Sequence, residues 1–174
     1  MLPSLSTNNL TGRRIVLQCA LDGAAALDRP VIVTTGPAID PAYLRLPAGA
    51  EVHRVLPHAE AMRRSALVIG HGGYGTTTAA LAHGLPLVML PLHPMIDQPM
   101  VARAVQDAGA GPALPKRASS ARIASAAGRA LGEPGYRAGA ARLGTGIPAA
   151  RAPQRAARAP QRAADAIATV LVAH

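Results

Sequence analysis

The sequence predicts an α/β fold, a Rossmann-like parallel sheet with helices on both faces. The chain of 174 residues is long enough for one domain with a substantial core. Short apolar runs rich in β-branched residues alternate along it with segments of helical periodicity. Each run ends abruptly in glycine, proline or a polar residue. Alternation at this spacing is typical of parallel strands joined by helices.

The predicted strands are short runs with the composition of buried parallel strands. Residues 31–35 are β-branched throughout and stop at Gly36-Pro37. Residues 1–5 are interpreted as the end of another strand, followed by a polar loop over residues 6–9. The other strands are expected over residues 51–56, 66–69, 86–90 and, at an edge of the sheet, 111–114.

The predicted helices begin near capping residues and end at glycine or proline. Thr11 is placed to cap a helix over residues 12–27, which Asp28-Arg29-Pro30 ends. Ser119-Ser120 precede another helix, over residues 121–131. Further helices are expected over residues 59–64, 75–83, 99–108 and 163–172.

The C-terminal segment differs in composition from the rest of the chain. Residues 151–157 recur without change as residues 158–164, and each copy contains a proline, which excludes one regular helix. We interpret the repeat as a duplication in a surface segment. The sequence therefore divides into a domain over residues 1–145 and a segment over residues 146–174, made of the Arg/Ala/Pro-rich repeat and a C-terminal helix.

We interpret the positive charge of the chain mainly as that of a solvated basic C-terminal segment, and it also suits an acidic small ligand. The formal net charge is +9, which suits nucleotide phosphates. Four arginines lie within the repeat, and aromatic residues, which stack on bases in single-strand binding, make up only 2% of the chain. We therefore expect no nucleic-acid partner.

The single cysteine, Cys19, excludes a disulfide within the chain and fits a reducing, cytoplasmic location. No apolar run approaches the roughly 20 residues that span a bilayer. Residues 1–9 lack the charged and apolar regions of a signal peptide. We therefore expect neither a membrane span nor a secretory signal.

A glycine turn between a predicted strand and a predicted helix is the main functional signal. The run over residues 66–69 leads through His71-Gly72-Gly73 and Gly75 into three threonines and an alanine-rich helix. Such a turn directs main-chain N–H groups and the positive end of a helix dipole at one point, where phosphate commonly binds. His71 is expected to donate a hydrogen bond to a phosphate oxygen. The alternative is a strand-end histidine bonded to the backbone.

Other nucleotide-binding and catalytic motifs are missing from the sequence. The turn matches neither a P-loop nor a dinucleotide fingerprint, and no Gly-x-Ser-x-Gly elbow occurs. The scattered histidines lack metal-ligand spacing, and no Asp-x-Asp pair is present to hold a divalent ion. We therefore expect no metal and no cofactor.

Asp97 and Gln98 are the candidate ligands for a sugar. They follow the strand predicted over residues 86–90, where a carboxylate and an amide side by side can bind vicinal hydroxyls. The alternative is a structural role for Asp97 as a helix N-cap, because Pro99 occupies a suitable first helical position. The two roles are compatible.

In order and spacing these motifs resemble the C-terminal donor-binding domain of GT-B glycosyltransferases of family 1, which includes UDP-glucuronosyltransferase-like enzymes and bacterial macrolide and antibiotic glycosyltransferases. The resemblance extends from residue 2 to residue 143 and implies one half of a GT-B fold with its first strand truncated. Its motifs are Val-Leu-Pro-His at 55–58, His-Gly-Gly-Tyr-Gly-Thr at 71–76, Gly-Leu-Pro-Leu-Val at 84–88, Pro91, and Asp97-Gln98.

The resemblance implies a hexosyltransferase that uses a UDP- or dTDP-linked sugar. The reaction would be inverting transfer to an acceptor hydroxyl without metal. The implied contacts are Ser6, Thr7, His71, Gly73, Gly75 and Thr76 for the diphosphate, Val55, Leu56 and His58 for the base, and Asp97 and Gln98 for the sugar.

Two departures from the family pattern limit what the resemblance implies. Ala79 stands where many members have a glutamate that holds the ribose, and no histidine of this chain matches the catalytic base. The acceptor domain and the base are therefore expected outside this chain, and we assign no catalytic residue. The alternatives are a subunit of a split glycosyltransferase, with a separate acceptor-domain subunit, and a non-catalytic nucleotide-sugar-binding protein.

Overall fold

A computed structural model describes residues 6–37, 39–93, 97–147 and 169–173. The strands are β1 (Val31–Thr34), β2 (Glu51–His53), β3 (Ser65–Gly70), β4 (Leu87–Met89) and β5 (Thr169–Ala173). The helices are α1 (Ser6–Ala25), α2 (His58–Arg63), α3 (Tyr74–Ala82), α4 (Gln98–Asp107), α5 (Ser120–Gly132) and α6 (Pro134–Gly144), with a 3₁₀ turn at Pro41–Tyr43.

The strands form one sheet in the order β2-β1-β5-β3-β4. β1 pairs with β2, and β3 pairs with β4, both in parallel as predicted. β5 lies between these two pairs and runs antiparallel to both of its neighbours. The sheet is therefore mixed, with four strands in the predicted direction and one reversed strand at the centre.

Helices cover both faces of the sheet, as the sequence predicted. On one face, α1 and α5 pack against the sheet through a cluster that includes Leu21 and Ile123. On the other face, α2, α3, α4 and α6 pack through a cluster that includes Met62 and Val105. Because successive side chains of a strand point to opposite faces, one strand contributes side chains to both clusters.

β5 contributes to both cores. Val170 and Val172 lie in the cluster with α1 and α5, whereas Leu171 lies in the opposite cluster. All three are at most 1% exposed. The end of the chain is thus part of the centre of the domain.

The prediction of a C-terminal helix over residues 163–172 is wrong for the residues that the structure describes. Thr169–Ala173 form β5 instead. The alanines in this segment favour a helix locally, but Val170, Leu171 and Val172 fit a position where strands pair on both sides. Strand preference depends on such neighbours more than on local sequence. The repeat at residues 151–164 lies outside the described residues.

The polar loop predicted over residues 6–9 is also wrong, because α1 already begins at Ser6. The helix that these residues begin packs against α5, and such packing commonly overrides local preference. That packing is close, since a Cβ on Gly23 would lie 2.9 Å from the carbonyl oxygen of Ser120. The strand end predicted over residues 1–5 lies outside the described residues.

Two further differences concern the C-terminal half. Helix α6 was not predicted, although Pro134 in its first turn is a typical start signal. The edge strand predicted over residues 111–114 is reduced to a parallel bridge between Ala113 and Met89. Among the helices that the structure describes, none has the length and apolar character needed to cross a membrane.

We expect Leu171→Ala to destabilise the protein by about 2–5 kcal/mol, because the smaller side chain leaves a cavity in the buried core. Denaturant unfolding followed by circular dichroism measures the change. Met100→Ala is the control, since Met100 is 71% exposed and its replacement should cost less than about 0.5 kcal/mol. Equal effects of the two substitutions would contradict the central position of β5.

Candidate functional site

The candidate site lies at the edge of the sheet where the four parallel strands end. Ligands of open α/β sheets bind at this edge. The loops after β2, β3 and β4 carry the residues singled out in the sequence, and contacts between them join these loops into one region.

The glycine turn connects β3 to α3 as predicted. Gly73 is the N-cap of α3 and provides no side-chain cap. The first helical hydrogen bond runs from the Thr77 amide to the Gly73 carbonyl, at 3.0 Å. The N–H groups of residues 73–76 therefore have no partner within the helix. With the positive end of the helix dipole, they form an anion-binding geometry.

His71 lies beneath this turn. The residue is 5% exposed, and both of its ring nitrogens are shielded from solvent. A Cβ on Gly73 would lie 2.5 Å from His71 Nε2. A side chain at position 73 would therefore overlap the imidazole unless the ring moved. A direct bond from His71 to a phosphate stays a prediction, whereas the contact with Gly73 gives the ring a role in supporting the turn.

Gln98 connects the turn to the loop after β4. Gly72 has a φ of +91°, and a Cβ on it would lie 3.2 Å from the Gln98 carbonyl oxygen. The side chain of Gln98 is buried, and its Oε1 accepts hydrogen bonds from the amides of Leu92, at 2.9 Å, and His93, at 3.2 Å. The carboxamide oxygen is thus engaged within the protein. This structural role was not foreseen from the sequence.

Asp97 is exposed at the start of α4. It occupies the N-cap position, as the structural alternative predicted, but its side chain makes no capping hydrogen bond. Its carboxylate therefore stands at the surface beside Gln98, and Pro99 follows in the first turn. A contact between Asp97 and a sugar stays a prediction.

His58 connects the loop after β2 to the start of α3. Its Nε2 lies 3.2 Å from Thr76 Oγ1, within hydrogen-bonding distance. Burial lowers the pKa of His58 below its ordinary value of 6.5. The ring is therefore neutral near pH 7. Val55, three residues earlier, is 73% exposed, and Leu56 is half-buried.

The structure thus joins three loops through the contacts of His58 with Thr76 and of Gly72 with Gln98, and the ligand contacts of the predicted residues stay predictions. Ser6 and Thr7 lie in the first turn of α1, and their side chains are outside the described part of the structure. Ala79, the position of the family's ribose-binding glutamate, is buried in the core. Within the described residues, no group of three histidine, cysteine or acidic side chains is arranged to hold a metal ion.

A protein-family model covers most of the chain. The family described as "Erythromycin biosynthesis protein CIII-like, C-terminal domain" matches residues 18–161.

Two relatives share more than a third of the residues that align. The 4'-demethylrebeccamycin synthase of Lentzea aerocolonigenes is 40% identical over 129 residues, which are 71% of this chain and 29% of that protein. The PGL/p-HBAD biosynthesis rhamnosyltransferase of Mycobacterium bovis is 37% identical over 139 residues, 79% of this chain and 30% of that protein. The chain therefore spans about 30% of the length of these relatives.

The fold matches solved glycosyltransferase structures. The crystal structure of CalG4, the calicheamicin glycosyltransferase, superposes with a TM-score of 0.69 and 27% sequence identity, over 83% of this chain and 36% of that chain. The predicted resemblance to a GT-B glycosyltransferase half is confirmed.

We expect Gly73→Ala to destabilise the protein by about 1–3 kcal/mol, because the new Cβ overlaps the imidazole of His71. Combining it with His71→Ala should recover part of the loss, which a double-mutant cycle of unfolding free energies measures. Gly75→Ala is the matched control, since no heavy atom lies within 4 Å of its Cβ position. A loss at Gly75 as large as that at Gly73 would contradict a specific contact with His71.

We expect His58 to make stability depend on pH. Its pKa is lowered in the folded state, so the unfolded chain binds a proton more readily. Stability from this group is complete above about pH 6.5, the unfolded value, and is lost as the pH falls towards the folded pKa. The free energy of unfolding should therefore decrease between pH 7.5 and 5.5 by less in His58→Gln than in the unsubstituted chain. Parallel decreases in the two proteins would refute the expectation.

Proposed function

The chain belongs to the erythromycin biosynthesis protein CIII-like C-terminal domain family, and on this basis we propose that it binds a UDP- or dTDP-linked sugar as the donor-binding half of a glycosyltransferase. The observation that carries the proposal is that the loops after β2 and β4 both contact the glycine turn after β3. Thr76 contacts His58 on one side of the turn, and Gly72 packs against Gln98 on the other.

The diphosphate is the first part of the proposed ligand. It would lie at the N-terminus of α3, where the N–H groups of residues 73–76 point and the helix dipole is positive. These donors belong to the main chain and are held by the packing of Gly73 on His71. The turn is thus preorganised, so little ordering is needed when an anion binds.

The sugar and the base would lie on opposite sides of the diphosphate. The exposed carboxylate of Asp97 would accept hydrogen bonds from the sugar hydroxyls. Gln98 would use its side-chain NH₂, because its side-chain oxygen Oε1 already accepts two main-chain hydrogen bonds. Val55, Leu56 and His58 would contact the base. The bond between His58 and Thr76 would keep the base and diphosphate regions in register.

The proposed reaction is inverting transfer of the sugar to an acceptor hydroxyl without metal. The acceptor oxygen forms a bond to the anomeric carbon as the bond from that carbon to the diphosphate breaks, and the hydroxyl proton passes to a general base. The main-chain amides of the turn and the helix dipole would stabilise the charge that develops on the departing diphosphate. The acceptor site and the base are proposed to belong to an acceptor domain, because the chain spans only about 30% of its relatives.

Calorimetry tests donor binding directly. We expect UDP or dTDP, and their glucose conjugates, to bind the folded chain at concentrations up to about 1 mM. Asp97→Asn should weaken the binding of the conjugate about 10- to 100-fold while leaving the free nucleoside diphosphate unaffected, because only the sugar contact is lost.

Asp107→Asn is the matched control, because Asp107 lies at the opposite end of α4 and is also exposed. It should leave both affinities unchanged. Absence of binding by every nucleotide at about 1 mM, in a sample shown to be folded, would overturn the proposal. Binding without turnover when an acceptor domain is added would favour a non-catalytic nucleotide-sugar-binding protein.

A further inference from the structure

Two basic residues from different elements meet at the edge of the sheet where the parallel strands end. Lys116 follows the parallel bridge between Ala113 and Met89, so it lies beyond the level at which β4 ends. Its Nζ is 3.9 Å from the position that a Cβ on Gly12 would occupy. Arg13 is the next residue of α1. The two residues, which we call the basic pair, are therefore neighbours in the fold although they are far apart in the sequence.

Arg13 lies on the side of α1 that faces the sheet. It continues the row formed by Leu17, Ala20 and Ala24, which repeat at the spacing of one helical face and are at most 4% exposed. Because only residues 26–30 connect α1 to β1, the helix runs back along the strand. Arg13 lies about 18 Å from the end of α1, whereas the four residues of β1 span about 13 Å. Arg13 therefore lies past the end of β1, where it is only half-buried.

The charges of the basic pair are not balanced by acidic side chains. No ion pair in the described part of the chain includes Arg13 or Lys116. Arg45, by contrast, is paired with Asp22 at 3.1 Å. Two cations at neighbouring positions repel each other, and an anion bound between them offsets this repulsion. Arginine and lysine both bind phosphate oxygens, so the pair is suited to a phosphate group.

We propose that the basic pair is a second phosphate-binding element, which holds the diphosphate of the donor from the face of the sheet opposite α3. This inference rests on the proposed function. α1 and the loop that carries Lys116 belong to the core cluster of one face, which includes Leu114 and Ala118. α3 packs on the other face. The strand order reverses between β1 and β3, and in doubly wound sheets a ligand crevice opens beyond the strands at such a place.

The basic pair would supply what the glycine turn lacks. The amides at the start of α3 provide partial charges, together equivalent to about half an elementary charge. Arg13 and Lys116 would add two full positive charges on the other side of the diphosphate. The negative charge on the diphosphate increases as its bond to the sugar breaks, so fixed cations would stabilise the departing group, as a divalent ion does in metal-dependent enzymes.

Titrations of the full chain with UDP, dTDP and inorganic pyrophosphate test the basic pair. Calorimetry measures the nucleotides, and NMR of the ¹⁵N-labelled chain measures pyrophosphate, which has the two phosphates without the base. Arg13→Gln and Lys116→Gln should each weaken the bound nucleotide and pyrophosphate about 5- to 30-fold, because each removes one charged contact. Arg13→Lys should retain most of the affinity, because the charge remains.

Arg29→Gln is the matched control. Arg29 is exposed in the connection between α1 and β1, at the opposite edge of the sheet, and its replacement removes the same charge. It should change each affinity less than about twofold. Thermal unfolding shows whether each variant is folded. Lys116 is exposed, so Lys116→Gln tests the pair even if Arg13→Gln does not fold.

The outcomes separate this inference from the proposed function. Nucleotide binding that neither substitution in the pair weakens more than Arg29→Gln does would overturn the basic pair and leave the proposed function standing. Pyrophosphate binding that depends on the pair, without binding of either nucleotide, would support the pair and overturn the proposed function. Absence of binding by all three probes up to about 10 mM, in a folded sample, would overturn both.

Discussion

The pairing of β5 with both β1 and β3 is the interaction on which the rest of the domain depends. It joins two separate parallel pairs into one sheet and supplies partners for the inner main-chain edges of both. It also places Val170 and Val172 in one core and Leu171 in the other. The helices on the two faces are therefore stabilised by the same strand. β3, which leads directly into the glycine turn, is held in place by this strand on one side and by β4 on the other.

The candidate site is built from close approaches between backbone and side chains rather than from many charged groups. Gly73 admits the imidazole of His71, and Gly72 admits the main chain at Gln98. Gln98 in turn accepts two hydrogen bonds at its side-chain oxygen Oε1 from the loop after β4. What remains at the surface are main-chain amides and the carboxylate of Asp97. The amides are hydrogen-bond donors in fixed positions and suit an anion, whereas the carboxylate of Asp97 is an acceptor and suits a hydroxyl.

The sequence was sufficient to predict an element where its local signals agree with the tertiary structure. The apolar run before His71 and the glycines after it predicted β3, the turn and α3, and Pro99 marked the start of α4. The sequence was insufficient where an element is stabilised by strands that are distant along the chain. Residues 169–173 contain β-branched residues that favour a strand, the alanines before them favour a helix, and the place between β1 and β3 decides between the two. The structural role of Gln98 was also missed, although its partners, the amides of Leu92 and His93, lie only a few residues earlier in the same loop. The missed α6 is different, since Pro134 was a readable signal.

The direction of β5 has a consequence for how such a domain is encoded. Parallel and antiparallel ladders differ in their hydrogen-bond spacing but share the two-residue alternation of side chains. The central place of this sheet holds a strand that runs against its neighbours and is apolar on both faces. The two halves of the sheet, β1 with β2 and β3 with β4, are therefore joined by residues that lie far beyond both of them in the sequence, so a change at positions 169–173 reaches both cores at once.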